Sequence, residues 1–154
     1  MKLLSSSRST LVDPGPDTVW AVVACGRPGA RWYADSAPFV VRGALDRLVG
    51  GAGRRWPGPV RDLLRAGDEV GFWRVTGADE GRLVLEAAVR APGRVTLTTT
   101  VTAEGPRTRL DQQVGFRPDG LLGAAYLFAD LPAREAVIGL VHRRLLQDLT
   151  GSAA

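Results

Sequence analysis

The chain has 154 residues and a formal net charge of +4, with 45% hydrophobic and 23% charged residues. This length and apolar fraction predict one globular domain over 1–154, with flexible ends at 1–6 and 150–154, and exclude a disordered chain. A single cysteine, Cys25, and a single histidine, His142, exclude a disulfide scaffold and a metal site built from several such residues. No apolar run approaches the roughly 20 residues of a membrane span. The start also lacks the apolar stretch of a signal peptide, so we expect a cytoplasmic protein with no membrane partner.

The positive charge is almost entirely arginine, because Lys2 is the only lysine among 20 basic residues. The arginines are spread from Arg8 to Arg144, whereas a nucleic-acid binder more usually concentrates its charge on one element. We therefore expect solvated arginines and no nucleic-acid partner.

The first half predicts a strand and two helices. A short strand is predicted over 7–12. The proline- and glycine-rich stretch that follows it predicts the start of a helix, which ends at Gly26. A second helix is expected from Ser36, a capping serine, to the glycine pair that begins at Gly50.

The middle of the chain is rich in β-strand patterns. Four strands are predicted over 69–76, 82–90, 94–103 and 108–117, separated by turn residues at the spacing of an antiparallel meander. In the last of them, Leu110, Gln112 and Val114 share one face, opposite charged and polar neighbours.

From Asp119 the pattern becomes helical, with a break predicted near Pro132 and a final helix from 133 to about 149. A strand, two helices, an antiparallel sheet and a long final helix together predict an α+β domain with that helix packed on the sheet.

Several stretches carry a resemblance to a known superfamily. They are Val12-Asp13-Pro14-Gly15-Pro16-Asp17-Thr18-Val19-Trp20, Trp32-Tyr33, the run from Val41 to Gly51, Gly67-Asp68 through Val75, Pro92-Gly93, and Phe116-Arg117-Pro118 with the following Gly120-Leu121-Leu122-Gly123 and Tyr126. This composite resembles the START-like, or polyketide cyclase/dehydrase-like, superfamily, within a bacterial family often fused to an NAD(P)-binding domain.

The resemblance implies a helix-grip fold, in which a curved antiparallel sheet wraps around a long C-terminal helix and leaves a cavity between them. It also exposes departures from the family pattern. Gly71 and Ala88 stand where acidic residues are common in that family, and Arg134 stands where a histidine is common. These positions mark either a changed or a lost family site.

His142 and Arg134 are the candidates for chemistry on the final helix. Helical spacing places both on the apolar face that includes Val141 and Leu145, which in a helix-grip domain looks toward the cavity. His142 suits acid–base work near neutral pH. The alternative is a hydrogen-bonded histidine of the core or rim. For Arg134, a substrate oxyanion competes with an ion pair to Glu86 or Asp111, or with a position at the cavity mouth.

The predicted site therefore has two parts. Its catalytic candidates are His142, Arg134 and Tyr126, the last through a hydroxyl that orients oxygen-bearing ligands. Its ligand-binding candidates are apolar or aromatic: Trp32, Tyr33, Phe39, Trp73, Phe116, Phe128 and Val141. The aromatic residues equally fit a plain hydrophobic core.

The functional prediction is binding of an apolar small molecule that resembles a polyketide, lipid or isoprenoid. By analogy with the superfamily, it extends to cyclisation or dehydration in secondary metabolism without a cofactor. Two alternatives stay open: a non-catalytic carrier or sensor, and a partner domain for a separate NAD(P)-dependent reductase. A homodimer is also open.

Overall fold

The computed structural model describes residues 4–27, 31–35, 61–70, 73–87, 93–118 and 120–152. They form six strands: β1 Leu4–Val12, β2 Glu69–Val70, β3 Trp73–Asp79, β4 Arg82–Ala87, β5 Gly93–Glu104 and β6 Arg107–Pro118. The helices are α1 Pro16–Val23, α2 Trp32–Asp35 and α3 Gly120–Ser152. The second helix predicted from Ser36 to Gly50 lies outside the described residues.

The strands form one antiparallel sheet in the order β1-β6-β5-β4-β3-β2. Two hairpins build most of it, and the residues of their turns explain why they form. Gly105 and Pro106 connect β5 to β6, with Gly105 at φ +59, while Glu80 and Gly81 connect β3 to β4, both at positive φ. Glycine at the first position of one turn and positive φ throughout the other match the twist of two-residue hairpins.

The hydrophobic core lies between the sheet and the helices. Alternate residues of β4, β5 and β6 face it, including Leu83, Leu97 and Leu110, and so do Ile138 and Leu145 of α3. Helix α3 packs chiefly on β6 and β1, at one end of the sheet, and α1 packs on β5. The predicted α+β architecture is confirmed: a curved antiparallel sheet and a long C-terminal helix form a helix-grip domain.

Three local predictions were wrong. The strand over 69–76 is two strands, because Val70 pairs antiparallel with Trp73. Residues 70–73 read Val-Gly-Phe-Trp, and a run without polar residues is also typical of a single buried strand, so the sequence does not reveal the reversal. Helix α3 has no break at Pro132, since a proline removes one backbone hydrogen bond without ending a helix that continues to pack beyond it.

The third error concerns the start of the first strand. Strand β1 begins at Leu4 rather than residue 7, and residues 4–6 pair with β6 from Val114 to Phe116. Serines have weak strand propensity, so this pairing depends on the distant strand. Similarly, α3 continues to Ser152, beyond the predicted end near 149.

Candidate functional site

His142 lies where α3 crosses the inner face of the sheet and is only 6% exposed. Its ring forms hydrogen bonds with two strands directly and is connected to a third through Gln112. Nε2 lies 2.7 Å from the Thr10 hydroxyl of β1, and Nδ1 lies 3.0 Å from Oε1 of Gln112 on β6. The Gln112 amide in turn donates to Thr99 of β5 over 3.1 Å. We call these four residues the interior polar chain.

The direction of these bonds assigns the proton of His142. Because Gln112 donates its Nε2–H to Thr99, its Oε1 faces the imidazole, so Nδ1 carries the hydrogen and Nε2 accepts from Thr10. Burial lowers the pKa of His142 below its usual range, and the positive charge of Arg8 lowers that pKa further, while Asp111 opposes the shift. The histidine is therefore neutral at physiological pH, with both ring nitrogens engaged.

The interior polar chain is set in an apolar surface. Leu97 and Val101 flank Thr99 on β5, and Leu110 and Val114 flank Gln112 on β6. Val141, predicted to bind ligand, is buried next to His142 on α3. The interior polar chain thus lies among hydrocarbon side chains of β5, β6 and α3.

The inner face retains exposure at the end of the sheet away from the interior polar chain. Val95 is on the same face of β5 as Leu97 and Thr99, and Ala87 is on the same face of β4 as Leu85. Both are only partly buried, although both pack against the core. Solvent therefore reaches the inner apolar face at this end.

Trp32, Tyr33 and Trp73, three predicted ligand-binding residues, are buried and connect α1, α2 and β3. The indole of Trp32 donates to the Val23 carbonyl (3.1 Å) and the indole of Trp73 donates to the Tyr33 carbonyl (2.8 Å). The Tyr33 hydroxyl donates to the Cys25 carbonyl (2.6 Å). These bonds stabilise the packing of the helices against the sheet, and ligand binding by the three side chains stays a prediction.

Other predicted positions lie outside the part that the structure describes. Phe39, Gly71 and Ala88 are among the undescribed residues, and so are the side chains of Arg134, Tyr126, Phe128 and Phe116. Arg134 and Tyr126 belong to the N-terminal half of α3, and their site roles stay predictions. Of the carboxylates considered for Arg134, Glu86 forms an ion pair with Arg94 at 3.2 Å.

Sequence reasoning missed Thr10, Gln112 and Thr99 as partners of His142. The sequence contained one signal for Gln112. Alternation along β6 places this residue on the apolar face between Leu110 and Val114, and a buried amide requires a hydrogen-bond partner. Which partner it meets depends on how α3 crosses the sheet, and the strand pattern alone does not contain that information.

A second concave region lies on the surface between α1 and the C-terminal end of α3. It encloses about 250 Å³ and is lined by Ala21, Val22, Cys25, Arg31, Gln147, Asp148 and Gly151. Across the part of the chain with described coordinates, no cluster of histidine, cysteine and carboxylate residues suits a metal ion.

The comparisons with known proteins agree with this geometry. A family model described as "Protein of unknown function (DUF2867)" matches residues 3–141. The chain belongs to this family. No curated protein matches the sequence of this chain.

Solved structures are similar to this DUF2867 protein in fold. DynU16, from the dynemicin biosynthetic locus, is 16% identical over 95% of this chain, with a TM-score of 0.54; the chain spans 47% of DynU16. A START superfamily protein from Mycobacterium smegmatis is 14% identical over 96% of this chain and 94% of its own, with a TM-score of 0.53. Truncated norcoclaurine synthase from Thalictrum flavum is 10% identical over 94% and 91%, also with a TM-score of 0.53.

The predicted resemblance is thereby confirmed at the level of the fold, which is START-like. Within the described residues, no helix is long and apolar enough to span a membrane. Fusion of the family to an NAD(P)-binding domain stays a prediction.

Proposed function

We propose that this DUF2867 protein binds an apolar small molecule in the interior between the curved sheet and α3. The observation that carries the proposal is the inner face of the sheet, which is apolar and still solvent-accessible at Val95 and Ala87. Soluble proteins usually bury such a surface, and a concave apolar surface with a few convergent polar groups is the usual form of a small-molecule site. The START-like fold supports the same reading.

The names of two structural relatives support a ligand from secondary metabolism. DynU16 belongs to a biosynthetic locus, and norcoclaurine synthase is named as a synthase. These are statements about those proteins, and they bear on this chain through a shared fold alone. The ligand classes that this analogy supports are a polyketide, a lipid or an isoprenoid.

His142 supports binding more than acid–base catalysis. A general base needs a free nitrogen within hydrogen-bond reach of the substrate. Here Thr10 and Gln112 engage both nitrogens, so His142 fixes the interior polar chain rather than exchanging a proton with a ligand. The catalytic alternative keeps His142, Arg134 and Tyr126 as polar anchors for cyclisation or dehydration.

The proposal is tested with a substitution that blocks the solvent-accessible end of the interior. Val95→Trp places an indole on the inner face, and the matched control Thr96→Trp places it on the opposite face of the same strand. Binding of Nile red, an apolar fluorescent dye, is titrated for both variants and the wild type. We expect Val95→Trp to weaken the Kd by about tenfold or more, a loss of about 1.4 kcal/mol, with the control unchanged. Equal affinities for all three proteins would contradict the proposal.

Native mass spectrometry of the protein from its own host, followed by denaturing extraction, identifies the ligand and separates binding from turnover. A carrier returns its ligand unchanged, both in the wild type and in His142→Gln. The catalytic alternative expects the wild type to convert the extracted compound and His142→Gln to leave it intact. Co-purification of a reductase would instead favour the partner-domain alternative.

A further inference from the structure

The interior polar chain has more hydrogens than hydrogen bonds. The Thr10 and Thr99 hydroxyls carry one each, neutral His142 carries one, and the Gln112 amide carries two. Three hydrogen bonds connect these four side chains. Two hydrogens are therefore left without an acceptor inside the chain, and this count is the same for either orientation of the Gln112 amide.

In the orientation given by the Gln112–Thr99 bond, the two unused hydrogens belong to Gln112 and Thr99. One amide hydrogen of Gln112 is unused in every arrangement, because only one of its two N–H groups has a partner. These side chains are 1% and 0% exposed, so bulk water does not reach them. A buried donor without an acceptor costs about 1–3 kcal/mol.

Among the described residues, no neighbouring side chain provides the missing acceptor. On β4, β5, β6 and α3 the nearby inner-face side chains are hydrocarbon: Leu83, Leu97, Val101, Leu110, Val114, Val141 and Leu145. On β1 the residue opposite Gln112 is Arg8, whose guanidinium donates hydrogen bonds and accepts none. The hydrogen bonds of the described residues therefore supply no acceptor for these two hydrogens.

We propose that the ligand carries an acceptor oxygen, as a carbonyl, ether or hydroxyl group, to which Gln112 and Thr99 donate. This inference rests on the proposed function and narrows its ligand class. Thr99 lies four positions beyond Val95 on β5, about 13 Å at roughly 3.3 Å per residue. The ligand is thus an elongated apolar molecule with an oxygen about that far from the accessible end, and neither a pure hydrocarbon nor a cation.

The test compares two probes of similar size: methyl heptyl ketone, which has an acceptor oxygen, and decane, which has none. Both displace Nile red from the wild type and from the double variant Thr99→Val/Gln112→Met. The matched control is Thr98→Val/Gln113→Met, since Thr98 and Gln113 form the adjacent cross-strand pair, which faces the other side of the sheet. Decane binding reports whether each variant keeps its fold and its interior.

We expect the ratio of the ketone Kd to the decane Kd to rise by roughly fivefold to tenfold in Thr99→Val/Gln112→Met, which we call the inner variant. The same ratio should stay unchanged in the control variant. An unchanged ratio in the inner variant, with decane still bound, overturns the inference and leaves the proposed function standing. If neither probe binds the wild type, both are overturned.

The infrared spectrum of the ketone bound to the wild-type protein tests the same hydrogen bond without any variant, including the case in which the inner variant does not fold. The infrared carbonyl stretch of the bound ketone should lie below its frequency in an alkane solvent, because hydrogen bonds weaken the C=O bond. A stretch at the alkane-solvent frequency shows that no donor reaches the oxygen and overturns the inference.

Discussion

Acidification should destabilise the protein through His142. Burial, and secondarily the charge of Arg8, lowers the pKa of this histidine in the folded state, although Asp111 offsets part of the shift. In the unfolded chain the imidazole returns to its ordinary pKa of about 6.5. Between the two values the unfolded state binds more protons than the folded state, so the free energy of unfolding falls as the pH falls. The contribution is fully present above about pH 6.5 and is lost as the pH falls toward the folded-state pKa.

The size of the effect is limited by a single proton. One group that binds a proton only in the unfolded state changes the free energy of unfolding by at most about 1.4 kcal/mol per pH unit. The sign of the slope follows from the structure, because burial of the ring and the charge of Arg8 both disfavour the protonated form. Below the folded-state pKa this contribution to the slope disappears.

Urea denaturation from about pH 7.5 to about pH 5, a range centred on the ordinary histidine pKa, measures the slope. The comparison variant is His142→Gln, whose amide does not titrate and retains hydrogen-bonding groups for Thr10 and Gln112. His142 is the only histidine, so the variant lacks any side chain that ordinarily titrates in the upper part of this range. We expect the wild type to lose stability more steeply with acid than the variant. Parallel pH profiles would refute the assignment of His142 as a buried neutral group.

Two further predictions concern the fold around the site. Gly81 and Gly105 both have positive φ, but a Cβ at Gly81 would lie 2.7 Å from the Val101 carbonyl oxygen, whereas one at Gly105 meets nothing within 4 Å. Gly81→Ala should therefore lower the free energy of unfolding by about 3 kcal/mol and Gly105→Ala by about 1–2 kcal/mol, measured by denaturant titration, and equal losses would contradict the contact. Tyr33→Phe removes the hydrogen bond to the Cys25 carbonyl and should cost about 1 kcal/mol in the same assay; an unchanged midpoint would show that this bond contributes nothing.

Much of the fold was predictable from local patterns. Period-two alternation assigned the faces of β6 correctly, since Leu110, Gln112 and Val114 are buried while Arg109 and Gln113 are exposed. These faces follow from the pleat of one strand. The chain reversal between Val70 and Trp73 was not predictable, because residues 70–73 read Val-Gly-Phe-Trp, and a run without polar residues is equally typical of one continuous buried strand.

The candidate site was predictable only in part. Helical spacing placed His142 on the face of α3 that packs against the sheet, and the structure agrees. Its partners come from β1 and β6, at sequence separations that no periodicity covers. The polar role of Thr99 depends on the β5–β6 register, which places it directly opposite Gln112. These contacts arise from tertiary packing rather than local propensity.

The pairing of β1 with β6 has a consequence for the order of assembly. The partners of Leu4 and Val12 are Phe116 and Thr108, so β1 has no partner during synthesis until β6 has been made. The β5–β6 hairpin, by contrast, closes locally through Glu104 and Arg107. Local contacts form sooner than distant ones, so the hairpin should precede β1 during folding. In pulse-labelled hydrogen exchange, amides of β5 should gain protection before those of β1. Strand β1 is rich in serine and exposes little hydrophobic surface, so it can remain unpaired in water until β6 is available.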